Sequence, residues 1–273
     1  MHPIAFNFGP LTVRWYGVMM ALGFAAGLWT ASRRAVRVGV PAEKIIDLGL
    51  WLIVGSLIGA RMWYVITFWR EEFAGKPFAE IFKIWHGGQI YYGGLIGGSL
   101  AFALYARLKK IPLWKGADIM APSIALGYFF GRFGCLFNGC CFGRVCDLPW
   151  AVRFPPGSNA FDKQVSDHVL APDAARTLPV HPTQIYESLL NLALYGGLVW
   201  LFRRKKFDGQ VFATYLVSYA LLRSFVEIFR GDYPSNQYFL GGQLTPAHIV
   251  SIAILLAGLA MLAFLPRPAG RQA

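Results

Sequence analysis

ADIMAPSIALGYFFGRFGCLF, residues 117–137, is long and apolar enough to cross a bilayer, and Arg132 lies inside it. A transmembrane helix needs about 20 apolar residues. A charge near mid-bilayer costs roughly 2.5–3.5 kcal/mol on insertion scales. Two further apolar stretches repeat the anomaly. GSLIGARMWYVI (55–66) holds Arg61, and VSYALLRSFVEIF (217–229) holds Arg223. Three such costs need compensation, so each arginine is expected to face a polar cavity or an anionic partner. The bland competitor is that they snorkel outward or pair with Glu187 and Glu227 as structural glue.

Working outward, the composition agrees with a membrane protein. Of 273 residues 56% are apolar and only 15% charged, against about 45–50% and 25% in soluble domains. The apolar residues fall in runs that predict an all-α polytopic protein with about seven transmembrane helices, at 15–32, 46–69, 89–106, 117–137, 181–202, 210–229 and 244–265. The first residues lack a basic leader and a small-residue cleavage site, so the first run reads as a mature span. GGLIGG at 93–98 is a place for close helix approach. Asp118 is expected to cap the N-terminus of the fourth span. Residues 70–87 mix aromatics with charges and read as an interfacial amphipathic segment. Residues 138–180 read as a small external loop or cap on a single transmembrane domain.

The net charge of +12 would suggest nucleic acid in a soluble chain. Here its distribution carries the meaning. The connections after spans 1, 3 and 5 and the C-terminus, including Arg267 and Arg271, hold 14 Lys and Arg; the opposite connections hold nine. The positive-inside rule then places the N-terminus outside and the C-terminus in the cytoplasm. No nucleic-acid partner is expected. At 1.5 Å per residue, Arg132 and Arg61 lie about 22 Å and Arg223 about 20 Å from the inner ends of their helices. In a core of roughly 30 Å all three sit in the outer third. Spans of opposite direction bring Tyr16, Tyr91, Tyr92, His181, Tyr186, Glu187 and His248 to the same level. Glu227 lies one turn beyond Arg223, and Arg230 follows at the mouth.

GRFGCLFNGCCFGR (131–144) closes the fourth span. Its glycines permit tight turns and close backbone approach. Asn138 offers an amide, and Arg132 and Arg144 offer forked cations suited to phosphate. The four cysteines, 135, 140, 141 and 146, follow a C-x4-C-C-x4-C spacing that is not a usual zinc pattern, and an adjacent pair chelates one ion poorly. No metal is expected; disulfides and free packed thiols both remain open.

These residues resemble the bacterial prolipoprotein diacylglyceryl transferases. The resemblance spans nearly the whole chain, through RWYGVMMALGF (14–24), GARMWYV (59–65), YGGLIGG (92–98), GRFGCLFNGCCFGR (131–144), HPTQIYE (181–187) and YALLRSFVEIFR (219–230). It implies transfer of diacylglycerol from phosphatidylglycerol to the lipobox cysteine of a prolipoprotein signal peptide. The products are a thioether and glycerol phosphate. It implies no cofactor, a bacterial cytoplasmic (inner) membrane location with an outward-facing site, and a monomer. It makes Arg132 and Arg223 catalytic, and it attaches Tyr16, Asn138, Gly143, Arg144, Glu187, Glu227 and Arg230 to the site. Arg61, Tyr92 and His181 join them as candidate substrate contacts. The chain departs from the family where many members place a histidine, here Tyr92. It departs again at Cys135 and Cys140, which replace an asparagine and an acidic residue. Tyrosine, with a pKa near 10, is a poor base at neutral pH. Either His181 or Glu187 takes the thiol proton, or no protein base is needed. The competing class is an anion or lipid transporter with arginines along its pathway. The absence of repeats and the odd number of spans speak against it.

Overall fold

The computed structural model describes residues 3–9, 11–83, 87–232 and 245–266. The start of the seventh expected span, part of the 70–87 segment, and Arg267 and Arg271 lie outside the described residues. The chain opens on an antiparallel hairpin, β1 (Ile4–Phe8) and β2 (Leu11–Arg14). Long helices follow: α1 (Trp15–Arg37), α2 (Ala42–Thr67), α3 (Tyr91–Leu108) and α4 (Leu113–Asn138). After the short α5 (Asn159–Ser166) come α6 (Thr183–Phe202), α7 (Gln210–Glu227) and α8 (Pro246–Phe264). Four of these, α2, α4, α6 and α8, are long and apolar enough to cross a membrane. The hairpin and α5 were not anticipated.

Large apolar side chains lie on the outside as well as in the core, and some polar ones are buried. Leu50, Ile66, Leu100 and Leu256 are each more than 60% exposed, while Asp118, Thr183, Gln184 and Ser188 are fully buried. Apolar side chains facing outward cost nothing in lipid. Buried polar ones need partners, and Asp118, Thr183, Gln184 and Ser188 each make at least one hydrogen bond.

The chain divides into two compact units, Met1–Trp29 with Ala117–Ala273, and Thr30–Gly116, the division falling within α1. In the second unit α2 and α3 meet backbone to backbone. A Cβ on Gly59 would stand 2.3 Å from the Gly93 carbonyl oxygen, and one on Gly97 would stand 2.3 Å from that of Gly55. Any side chain there would force the helices apart, which is why small residues recur at four-residue spacing. Beyond α2 the chain makes a π-helical turn (Trp69–Phe73) and a 3-10 turn (Phe78–Phe82). Phe73 and Ile81 pack on Val65, while Phe78 and Phe82 stay exposed.

In the first unit the early part of α1 lies against α4. Gly23 and Gly27 admit Gly127 and Ser123, and the Ser123 hydroxyl donates to the Gly27 carbonyl at 2.5 Å. Ser188 of α6 donates to the Phe129 carbonyl of α4 at 3.1 Å. Gly258 of α8 packs on Ala213 and Val217 of α7.

Asp118 does not cap its own helix, which begins five residues earlier. Its carboxylate accepts the Gly209 and Phe212 amides at 2.9 Å each and the Lys205 ammonium at 2.8 Å. It therefore caps α7 and holds the α6–α7 connection. The reason is a vacancy of side-chain acceptors at the start of α7, where Gly209 precedes the helix. The orphan amides of a helix N-terminus recruit whatever acceptor is in reach. Between α4 and α6 the chain is ordered around its own small core of Phe142, Phe154, Ala160 and Val180 with Leu136. Ser158 caps α5 by accepting from the Phe161 amide.

Candidate active site

Arg132 lies in the last two turns of α4, Glu187 in the first turns of α6, and Arg223 and Glu227 one turn apart near the end of α7. Their side chains meet. Arg132 places its Nε 2.7 Å from Glu187 Oε2 and donates from Nη2 to Oε1 at 3.2 Å. Arg223 Nη1 reaches Glu187 Oε1 at 3.7 Å and Glu227 Oε2 at 2.5 Å. Glu227 in turn accepts the Thr245 hydroxyl at 2.5 Å, at the cap of α8, where His248 also bonds Thr245. One carboxylate thus sits between two guanidiniums contributed by different helices. Glu187 and Glu227 are 3% and 2% exposed, so they and the arginines compensate one another's desolvation.

Tyr128 completes the first arginine's surroundings. Arg132 Nη2 donates to its hydroxyl at 2.8 Å, and the guanidinium stands 4.9 Å from the ring centre. Tyr219 lies 3.3 Å further on, hydroxyl to hydroxyl. Tyr16 packs across Gly134, a bare patch of α4, half a turn beyond Arg132: a Cβ on Gly134 would stand 3.0 Å from the Tyr16 ring.

The residues after α4 are woven into the end of α7. The Gly143 amide donates to the His181 carbonyl, Arg144 N to Phe229 O, and His181 N to Arg144 O, at 2.8–3.0 Å. Gly143 and Arg230 form a β-bridge. A Cβ on Gly143 would stand 2.5 Å from that of His181, so only glycine fits. Arg144 Nε donates to the Arg230 carbonyl at 3.1 Å. Arg230 holds Asp232 through two 2.7 Å bonds. Burial pushes the Asp232 carboxyl up, with Arg230 opposing it. His181 Nδ1 and the Tyr186 hydroxyl are 3.3 Å apart, and Trp150 donates to that hydroxyl. Asn138 is the last residue of α4 and is half-buried.

Arg61 and Tyr92 belong to the other unit. Arg61 is 8% exposed, and its guanidinium donates to the carbonyls of Glu80, Ile81, Gly87 and Gly88 at 2.7–3.1 Å. It staples the segment after α2 back onto that helix, beside a crevice shared with Tyr64, Glu72 and Lys76. Tyr92 is the second residue of α3 and is half exposed. The residues that sequence reasoning passed over are Tyr128, Thr245 and Asp232. Tyr128 alone carried a signal, lying four residues before Arg132 and so one turn away on the same face.

Helices with apolar exteriors, four of them long and apolar enough to span a bilayer, together with a buried cluster of arginines and carboxylates, define a helical membrane protein with charge in its interior. The chain belongs to the prolipoprotein diacylglyceryl transferase family, whose family model matches residues 3–264. It is similar to proteins named phosphatidylglycerol–prolipoprotein diacylglyceryl transferase. That of Synechococcus elongatus is 37% identical, with 94% of this chain and 84% of the relative aligned. That of Nitratidesulfovibrio vulgaris is 35% identical over 95% and 92%. That of Pasteurella multocida is 32% identical over 99% and 94%. The transporter reading finds no support in these relatives.

Proposed function

We propose that this protein transfers the diacylglyceryl group of phosphatidylglycerol to the lipobox cysteine of prolipoprotein signal peptides, releasing glycerol phosphate. The observation that carries the reading beyond kinship is the pair Arg132 and Arg223 on one carboxylate, Glu187. Arg132, Arg144, Arg223 and Arg230 supply four positive charges, and Glu187, Glu227 and Asp232 three negative ones. The surplus of one matches a phosphodiester monoanion.

The chemistry follows from charge. The substrate thiolate attacks the glyceryl carbon that bears the phosphate. An S–C bond forms, the C–O bond breaks, and its electron pair leaves on the phosphate oxygen of glycerol phosphate. The thiol proton passes to solvent or to the departing phosphate. Charge therefore builds on the leaving group, and preorganised guanidiniums placed there lower the barrier. Arg132 and Arg223 take this role. Glu187 and Glu227 hold them in place, Tyr128 fixes the plane of Arg132, and Arg144 and Arg230 hold the mouth. Tyr16, Asn138, His181 and Tyr92 are contacts for lipid or peptide. Gly143 lets the two strands at the mouth touch. Arg61 fixes the segment after α2. A thiol is a few per cent ionised at pH 7, and cations raise that fraction. With Glu187 engaged by two arginines, no protein base is assigned.

The exposed apolar faces support a reading in which seven helices span the bacterial inner membrane as one domain. Its N-terminus is outside and its C-terminus cytoplasmic, residues 138–180 form the external cap, and 70–87 lie at the interface. The enzyme works as a monomer without metal or cofactor in the reaction. Purified protein given phosphatidylglycerol and a lipobox peptide should yield thioether product and glycerol phosphate. Arg132→Ala and Arg223→Ala should each lower the rate by about 100-fold or more, as loss of one transition-state donor does elsewhere. Near-normal lipidation by either variant would refute its assigned role.

A further inference from the structure

The family chemistry makes no use of the three thiols at the end of α4. The sulfurs of Cys135, Cys140 and Cys141 lie within 4.8 Å of one another. Three thiolates each about 2.3 Å from one ion stand about 4 Å apart. The trio therefore needs to close by less than about 1 Å. Neighbouring residues in ordinary backbone point their side chains apart, which is why an adjacent cysteine pair looks unpromising in sequence. Cys141 escapes that rule because its φ is +61°, in the left-handed region that non-glycine residues rarely enter. Gly139, at φ +68°, makes the preceding turn.

The loop is also clamped from outside. Gln184 donates to the Cys140 carbonyl at 2.7 Å and Thr183 to the Cys141 carbonyl at 2.6 Å. The Cys140 amide and thiol both point to the Cys135 carbonyl, at 3.2 and 3.7 Å. A strained backbone held by three independent contacts is preorganisation, and its product is the convergence of three soft donors. A disulfide would use two of them and discard that threefold arrangement.

We infer that Cys135, Cys140 and Cys141 form a three-thiolate site for a single soft, thiophilic metal ion. Thiolate donors select such ions over hard cations. Cys146 is not among the converging three. The site stands independently of the transferase reading, since it is defined by sulfur geometry and tested by binding.

The test uses reduced, detergent-solubilised full-length protein and Cd(II) as probe. One Cd(II) should bind per chain, with a thiolate-to-metal charge-transfer band, and should protect three thiols from alkylation. Cys140→Ser should lose the band and the protection, whereas Cys146→Ser should keep both. Thermal unfolding of Cys140→Ser checks that it folds; if it does not, the wild-type protection pattern decides alone. Three outcomes overturn the proposal: no stoichiometric Cd(II), a band that survives Cys140→Ser, or freshly isolated protein in which two of the three thiols are already a disulfide.

Discussion

Glu187 links two arginines of the site, because it neutralises Arg132 and keeps Arg223 within reach. Breaking a buried ion pair by removing one partner costs about 3–5 kcal/mol, mostly the penalty of the charge left behind. Glu187→Ala should therefore lower thermal stability as well as activity, while Glu187→Gln, which keeps the shape and one acceptor, should lose less stability. Thermal unfolding in detergent alongside the lipidation assay checks this; equal stability of Glu187→Ala and wild type would argue that the arginines have other means of compensation. Sequence reasoning found these residues because a charge in an apolar run is conspicuous. It could even offer Glu187 and Glu227 as partners. It could not see Thr245 on Glu227 or Asp232 on Arg230, since hydroxyls and loop carboxylates carry no comparable anomaly.

At the level of elements, two contacts make separable predictions. Gly59 and Gly196 are both helical glycines, yet a Cβ on Gly59 meets the Gly93 carbonyl at 2.3 Å while one on Gly196 meets nothing within 4 Å. Gly59→Ala should destabilise the α2–α3 pair. Gly196→Ala should be neutral or stabilising by about 0.5–1 kcal/mol, the ordinary gain in a helix. Melting temperatures of the two variants decide it, and matching losses would contradict the backbone contact. Asp118 ties the start of α7 to α4; Asp118→Asn keeps one acceptor for the α7 amides but removes the charge that holds Lys205, so it should cost about 1.5–3 kcal/mol, as loss of a charge-assisted hydrogen bond does. Burial works against the Lys205 ammonium, but its bonds to Asp118 and Asp208 outweigh this and raise its pKa. That contribution is present below the ordinary lysine range and lost as pH rises through the raised value. The gap between Asp118→Asn and wild type should hold constant through neutral pH and narrow only in strong alkali; narrowing near neutrality would point to a different group. The long helices were legible because apolar runs are. The role of Asp118 was not, because its partners lie about 90 residues further along, and local pattern offers only its own helix to cap. The cysteine convergence was hidden for a related reason: it depends on a backbone angle that spacing does not encode.

Both units expose large apolar side chains, mostly leucine and isoleucine, and bury some polar groups. That arrangement is stable only where the surroundings are themselves apolar. The proposed orientation rests on the excess of Lys and Arg in alternate connections. A reporter enzyme that is active only outside the cytoplasm should work when fused after Arg176 and be silent when fused after Lys206. The reverse pattern would invert the orientation and move the site to the other leaflet.

The weave of Gly143 and Arg144 with His181, Phe229 and Arg230 also has a consequence in time. The ribosome delivers Gly143 and Arg144 early, but the Phe229–Arg230 segment that clasps them arrives almost 90 residues later. Until that segment has been inserted, the chain holds the right residues without a catalytic centre. On the proposed function, a chain stopped before Phe229 lacks that clasp and should not lipidate a substrate peptide.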